Sequence, residues 1–243
     1  LDSMAPAAFA PETGSDLRSA SREAQAAVVE KFDAVSSGLS ADDLSTLSDD
    51  LASVAGLLIG EPILARHLAE SSGETDAKKR LVHRLLDGKV GANALTVLET
   101  AVSVRWSHTG DLVDVIEHVA RLALLVRAER DNQADEVEEQ LFRFTRILDE
   151  QHRLSALLGD YTTPADGRVA LLRTLIGDGS GANATASALL VQTISLVRGE
   201  RADEAVLALA QLAVARRGEI VAHVSAAAEL SAGQRTRLTE ILT

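Results

Sequence analysis

Apolar residues recur at steps of three and four along nearly the whole chain, and the pattern repeats 90 positions later, which leaves few folds open. Leu44, Leu47, Leu51, Val54 and Leu58 fall on one helical face, as do Leu112, Val115, Ile116, Val119, Leu122, Ala123 and Val126. Leu141, Phe144 and Leu148 mark a further helix. Setting residue n against n+90 aligns 61–130 with 151–220 without a gap, so that Gly91-Ala92-Asn93-Ala94 meets Gly181-Ala182-Asn183-Ala184. Leu64, Leu68, Leu81 and Leu85 meet Leu154, Leu158, Leu171 and Leu175, and Arg127 meets Arg217. Conserved turns and apolar faces in one register imply two copies of one helical bundle. The expectation is an all-α fold of two tandem, related bundles sharing a helix, followed by the start of a small α/β domain.

Helix boundaries agree with this. Ser40 is a natural N-cap, with Asp42 and Asp43 at the positive end of the dipole. Pro62 opens one segment, and Pro164 opens another after the candidate cap Thr163. Gly88, Gly91, Gly177, Gly179 and Gly181 punctuate turns. Residues 1–15 hold two of the four prolines and no periodicity, and read as a linker. After Arg217 the period changes: Ile220, Ala222, Val224 and Ala226 alternate with Val221, His223 and Ser225, predicting a short strand. Ser231 with Gln234 forms a capping-box pattern before a helix bearing Leu238, Ile241 and Leu242. A strand needs partners, and the chain starts at Leu1, so a longer parent polypeptide is expected.

Charge and chemistry exclude several classes. The 243 residues include 24 Lys and Arg against 36 Asp and Glu, a net charge of -12, which opposes binding to a nucleic-acid backbone. Few aromatics (among them Trp106, Phe142 and Phe144, read as packing residues) argue against base-stacking platforms, and the lack of cysteine removes disulfides and thiolate sites. No apolar run approaches the roughly 20 residues of a membrane span, and no signal peptide is evident, so this portion reads as soluble and cytoplasmic. Asp114 and His118 lie one helical turn apart, but two ligands do not make a metal site. Gly177-Asp178-Gly179-Ser180-Gly181-Ala182 fits a dinucleotide turn by formula only, because the segment before it, 169–176, reads as a helix rather than a strand. Asn183-Ala184-Thr185 matches a glycosylation acceptor without secretory context. His67, His83 and His152, and the acidic cluster Asp135, Glu136, Glu138 and Glu139, read as solvated groups. The residues thus predict no catalytic constellation, cofactor or metal.

Two longer strings carry more information. EVEEQLFRFTRILDEQHRLSALLGD and LAQLAVARRGEIVAHVSAAAELSAGQRTRLTEIL resemble the delta subunit of bacterial F-type ATP synthases, whose mitochondrial counterpart is the oligomycin-sensitivity-conferring protein. The resemblance covers about residues 16–243. The lead-in and duplicated bundle, with Val102–Leu125, resemble the fused form in which a b-type membrane and stalk helix precedes delta. It implies a delta-type six-helix bundle over 111–217, an added bundle over 16–110 closed by the helix at 111–130, and a C-terminal α/β domain beginning at 218–243. In the family a strand-rich segment with a GG turn and a D-G-S motif continues the chain.

The resemblance further implies a non-catalytic stator subunit. It would join the alpha/beta head to the b stalk, with beta subunits as a further candidate contact, on the cytoplasmic side of the plasma membrane, and resist rotor torque. Family members dock N-terminal helices of alpha subunits in a groove between the first and fifth bundle helices, here 111–130 and about 183–198. The implied walls are Val115, His118, Val119 and Leu122 on one side and Ala188, Val191, Gln192 and Ser195 on the other. A helical-repeat adaptor of unrelated partners is the alternative from another class.

Overall fold

The computed structural model describes residues 13–70, 73–177 and 181–218, and every regular element within them is an α-helix. They are α1 (Thr13–Ser36), α2 (Ala41–Gly60), α3 (Pro62–Ala69), α4 (Thr75–Leu86), α5 (Ala92–Ser103), α6 (Thr109–Arg130), α7 (Ala134–Glu150), α8 (His152–Gly159), α9 (Ala165–Ile176), α10 (Ala184–Leu196) and α11 (Ala202–Gly218). Among the described residues the β-type pairing is an isolated bridge between Asp87 and Val90 in the α4–α5 turn. The expected strand at 220–226 and the helix after Ser231 lie outside the described residues. α1 begins at Thr13, inside the stretch 1–15 expected to be a linker, and residues 1–12 lie outside the described residues.

The starts of the helices follow their caps. Ser40 accepts from the Asp43 amide while the Asp43 carboxylate accepts from the Ser40 amide, a reciprocal box that fixes the start of α2. Pro62 is the first residue of α3. Pro164 is the cap residue of α9 rather than its first helical residue. The Asp160 carboxylate takes the Thr162 amide and the Thr163 hydroxyl, and so holds those residues in the preceding turn.

Helix α6 is the centre of the molecule. α1, α2, α3 and α5 pack on it from the earlier part of the chain, and α7, α10 and α11 from the later part. Leu112, Ile116, Val119 and Ala123 are buried, and so are Leu124, Leu125 and Ala128, which lie off that stripe. A surface helix has one apolar face; α6 is covered on nearly every side. Each fully buried Leu or Val contributes roughly 1.5–3 kcal/mol, so this helix is a major source of packing energy.

The 90-residue period is visible in space. α3 and α8 have equal length and lie 90 positions apart, as do α4 and α9. Arg127, near the end of α6, donates to Ser45 on α2. Arg217, near the end of α11, pairs with Asp135 and Glu138 on α7, and Ser45 and Asp135 are also matched positions. α5 and α10 depart from the register. They start at Ala92 and Ala184, and buried Ala94, Val97, Leu98, Ala101 and Val102 of α5 correspond to Ala186, Leu189, Leu190, Thr193 and Ile194 of α10, a shift of 92. The two Gly-Ala-Asn-Ala strings therefore do not occupy equivalent places. Gly91 caps α5, whereas Asn183 caps α10 by accepting from the Thr185 and Ala186 amides. An Asn side chain supplies the acceptor a helix start needs, so α10 begins where that acceptor is.

Candidate functional site

The four α10 residues expected to face a partner share one opening. Ala188, Val191, Gln192 and Ser195 line a trough of about 820 Å³. Its other walls are α2, through Asp49, Ala52, Ser53 and Gly56, and α9, through Ala165, Arg173 and Ile176. The four expected α6 residues are elsewhere. Val119 and Leu122 are buried in the core. Val115 and His118 border a separate cleft of about 290 Å³ with Ser21, Arg22 and Gln25 of α1, and Trp106.

The cause is the position of α2. Its Ser48 hydroxyl donates to the Ala120 carbonyl of α6 at 2.8 Å and accepts from Gln192 Nε2 of α10 at 3.0 Å. A Cβ on Gly56 would lie 3.6 Å from Leu196, which shows how closely α2 approaches α10. The side of α6 that reaches the end of α10 carries Glu117, which pairs with Arg198 and, at 3.1 Å, with Arg121. Val115, two residues before Glu117, points to the opposite side of the helix. The two expected walls thus do not face each other across one groove.

Sequence reasoning missed the α2 and α9 walls. The available signal was the face 49, 52, 53, 56, whose small residues run at steps of three and four beside the leucine stripe of α2. One buried acceptor beside the trough, on Gln192 of α10, lacks a donor. Gln192 is 7% exposed, and its Oε1 has no hydrogen-bond partner. Asp49, on the α2 wall, is an exposed residue, screened from water only in part by the neighbouring helices. Loss of water raises its pKa above the ordinary value, and the charge of Asp50 adds to this while Arg127 opposes it. Where α9 ends, a Cβ on Gly177 would sit 2.6 Å from the Arg173 carbonyl oxygen, so the chain leaves the trough wall through a residue that must lack a side chain.

A second opening, about 240 Å³, is apolar and lies among α7, α8, α9 and α10; Phe144, Ile147, Leu154, Leu175, Ile176 and Leu190 line it. Their counterparts Val54, Leu57, Leu64, Leu85, Leu86 and Leu98 enclose only about 20 Å³. Ser187 lines the open version, where its counterpart in α5, Leu95, packs against the core.

Several groups read as solvated are bonded. His83 joins Asp87 at 3.0 Å and Glu99 of α5 at 2.7 Å. These hydrogen bonds, Asp87 first, raise its pKa above the ordinary value. In the acidic cluster, Asp135 and Glu138 hold Arg217, and Glu136 accepts from Asn183 Nδ2 at 3.3 Å. The cluster is a clasp between helices because α11 and the α10 cap are packed over the start of α7. Asp114 pairs with Arg198, and burial, then Arg121, lowers the pKa of His118. Among the described residues no group of three or more His, Asp or Glu is placed to hold a metal ion. Trp106 is buried and donates to the Ala101 carbonyl, and the segment before the glycine-rich turn is helix α9, without the strand a dinucleotide site needs. Among the described residues no single helix is long and apolar enough to cross a membrane.

Residues 119–243 match the family model described as the ATP synthase delta (OSCP) subunit. Two relatives, each called ATP synthase subunit b-delta, from Mycobacterium sp. strains KMS and JLS, are each 55% identical over 244 residues. Those alignments cover 100% of this chain and 55% of each relative, so the chain spans about half the length of the curated relatives it matches. With half of its length matched by the family model and all of it by these relatives, the chain belongs to the ATP synthase delta (OSCP) subunit family.

Proposed function

We propose that this chain is the delta part of a peripheral-stalk subunit of an F-type ATP synthase, linking the alpha/beta head to a b-type stalk and resisting rotor torque. It is non-catalytic in this reading and works on the cytoplasmic side of the plasma membrane as a peripheral part of the membrane complex. The full-length likeness to proteins called subunit b-delta carries the reading. The fold supports it physically. A stator must pass load without yielding, and α6 is clamped by helices from both ends of the sequence.

The chain is built as two related bundles, α1–α5 and α7–α11, with α6 serving both. The matched clasps of Arg127 with Ser45 and Arg217 with Asp135 support this division. Partner helices, by family likeness the N-terminal helices of alpha subunits, dock by laying an apolar face in a groove. Within the expected set, Ala188, Val191 and Ser195 of α10 are partly exposed along the trough, which the buried Gln192 also lines; Val115, Val119 and Leu122 are committed to packing.

The test is purification of the intact ATP synthase from cells carrying a tagged parent protein, with imaging of the complex. The chain should appear at the crown of the head, at one copy per complex. Its absence there overturns the proposal and favours an unrelated helical adaptor.

A further inference from the structure

We propose that the apolar opening among α7, α8, α9 and α10 binds a small neutral lipophile: a bicyclic aromatic, or a hydrocarbon of that size, carrying one hydroxyl. The inference goes beyond the stator reading and does not rest on it. It starts from a difference between matched places. The chain fills this site in its first half and leaves it open in its second.

Depth and lining set the size and the body of the guest. The floor is buried, with Phe144 6%, Leu190 4% and Ala186 1% exposed, while Ile147 and Leu175, 41% and 44% exposed, stand at the mouth. A cavity of about 150 Å³ lined by Leu, Ile and Phe stays dry and takes up benzene. This one has the same lining chemistry and is larger, at about 240 Å³, which gives room for two fused rings. Phe144 offers such a guest an offset-stacked or edge-to-face partner.

The polar side chains of the lining set the rest. They are Gln140, Arg143 and Ser187. Gln140 Oε1 accepts from the Asn183 amide, and its Nε2 donates to Glu136 and to the Gly181 carbonyl, so both ends of that amide are engaged. Arg143 donates to Glu139 at 2.7 Å, which answers its charge. The Ser187 hydroxyl makes no hydrogen bond among the described residues, and the residue is partly exposed, so a guest can reach it. A hydroxyl both donates and accepts, and one hydroxyl on the guest meets it. A charged group finds no free partner here, and burying it beside leucines costs far more than burying a hydroxyl.

The residue that offers the hydrogen bond also makes the room. Leu95, the counterpart of Ser187, packs against the core, and the matched site in the first half encloses only about 20 Å³. Serine in place of leucine thus leaves volume unfilled and puts a hydroxyl beside it. Ser187 and Ile176 also border the trough, so the guest would lie against the wall that separates the two openings.

The experiment dialyses the complete parent protein to equilibrium against 2-naphthol, naphthalene and 2-naphthoate. The native protein should bind 2-naphthol saturably, about fivefold more tightly than naphthalene. It should bind 2-naphthoate at least about tenfold more weakly than 2-naphthol. Ser187→Leu, which fills the opening, should abolish saturable binding of all three compounds. Ser187→Ala should bind naphthalene as the native protein does and lose the preference for 2-naphthol. Circular dichroism and melting temperature check both variants, and Ser187→Ala keeps the test decisive should Ser187→Leu fail to fold. Absence of saturable 2-naphthol binding by the native protein overturns the inference and leaves the opening a packing difference between the halves. Equal binding by the native protein and a folded Ser187→Leu variant overturns it too, as does a preference for 2-naphthol that survives in Ser187→Ala.

Discussion

The halves on either side of α6 start a matched helix by different means. In the first, Gly91 caps α5, and its amide donates to Asp50 of α2 at 2.7 Å. In the second, Asn183 caps α10; its amide donates to Gln140 of α7, which stands 90 positions after Asp50, also at 2.7 Å. The anchor is shared, but the second half adds a side-chain cap and bonds to Gln133 and Glu136. Buried cations show the same divergence. Lys78 donates to the Leu68 and Glu70 carbonyls at the end of α3, while Arg168, its counterpart, reaches the Ser195 and Val197 carbonyls at the end of α10. The two starts share a backbone anchor and differ in the side chains that satisfy it.

Breaking α6 should break both halves. Val119→Asp places a carboxylate at a fully buried site and should cost at least about 4 kcal/mol. Denaturant unfolding followed by Trp106, and by a tryptophan moved to Phe142, should shift together; a shift of the Trp106 signal alone would mean that α6 serves only the first half. The caps should differ next. Asn183→Ala should cost about 1–2 kcal/mol, and Gly91→Ala about 0.5 kcal/mol, read from chemical denaturation. Equal costs would remove the distinction drawn between the two caps. Filling the second half as the first is filled, by Ser187→Leu, should raise stability by about 1 kcal/mol and close the apolar opening, which thermal melting checks.

The smallest effect is a pH dependence confined to one half. His83 has a folded pKa above its ordinary 6.5, because Asp87 and Glu99 hold the charged form. Its contribution is complete below pH 6.5 and is lost as pH rises through the raised folded value. The counterpart of His83 is Arg173, so the second half has no imidazole at this position. Melting temperature measured from pH 5.5 to about 8.5 should fall slightly through this window in the native chain and stay flatter in His83→Gln.

The helices and their buried faces were legible in the sequence, because periodicity encodes burial directly: Leu44, Leu51 and Leu58, or Leu141, Phe144 and Leu148, are core residues as read. The repeat was legible for α3 and α4, whose counterparts α8 and α9 lie before any length change. It misled at Gly-Ala-Asn-Ala, since identical letters hide a turn that is two residues longer before α10 than before α5. For the docking surface, the α10 side was legible and the opposite wall was not. Helical period shows which residues share a face, but it does not show that α2 would stand between α6 and α10. Long-range bonds such as Gln192 with Ser48, 144 positions apart, leave no local signature.

The central helix also fixes its own length. Removing one residue from an α-helix rotates everything beyond the gap by about 100° relative to everything before it. In a surface helix a neighbouring loop absorbs the error. In α6 no loop lies between the turns that meet α2 and those that meet α10 and α11, so a deletion would misalign one set of neighbours whichever set it spared. The 22 residues from Thr109 to Arg130 therefore act as a common ruler, more tolerant of spelling changes than of any change in count.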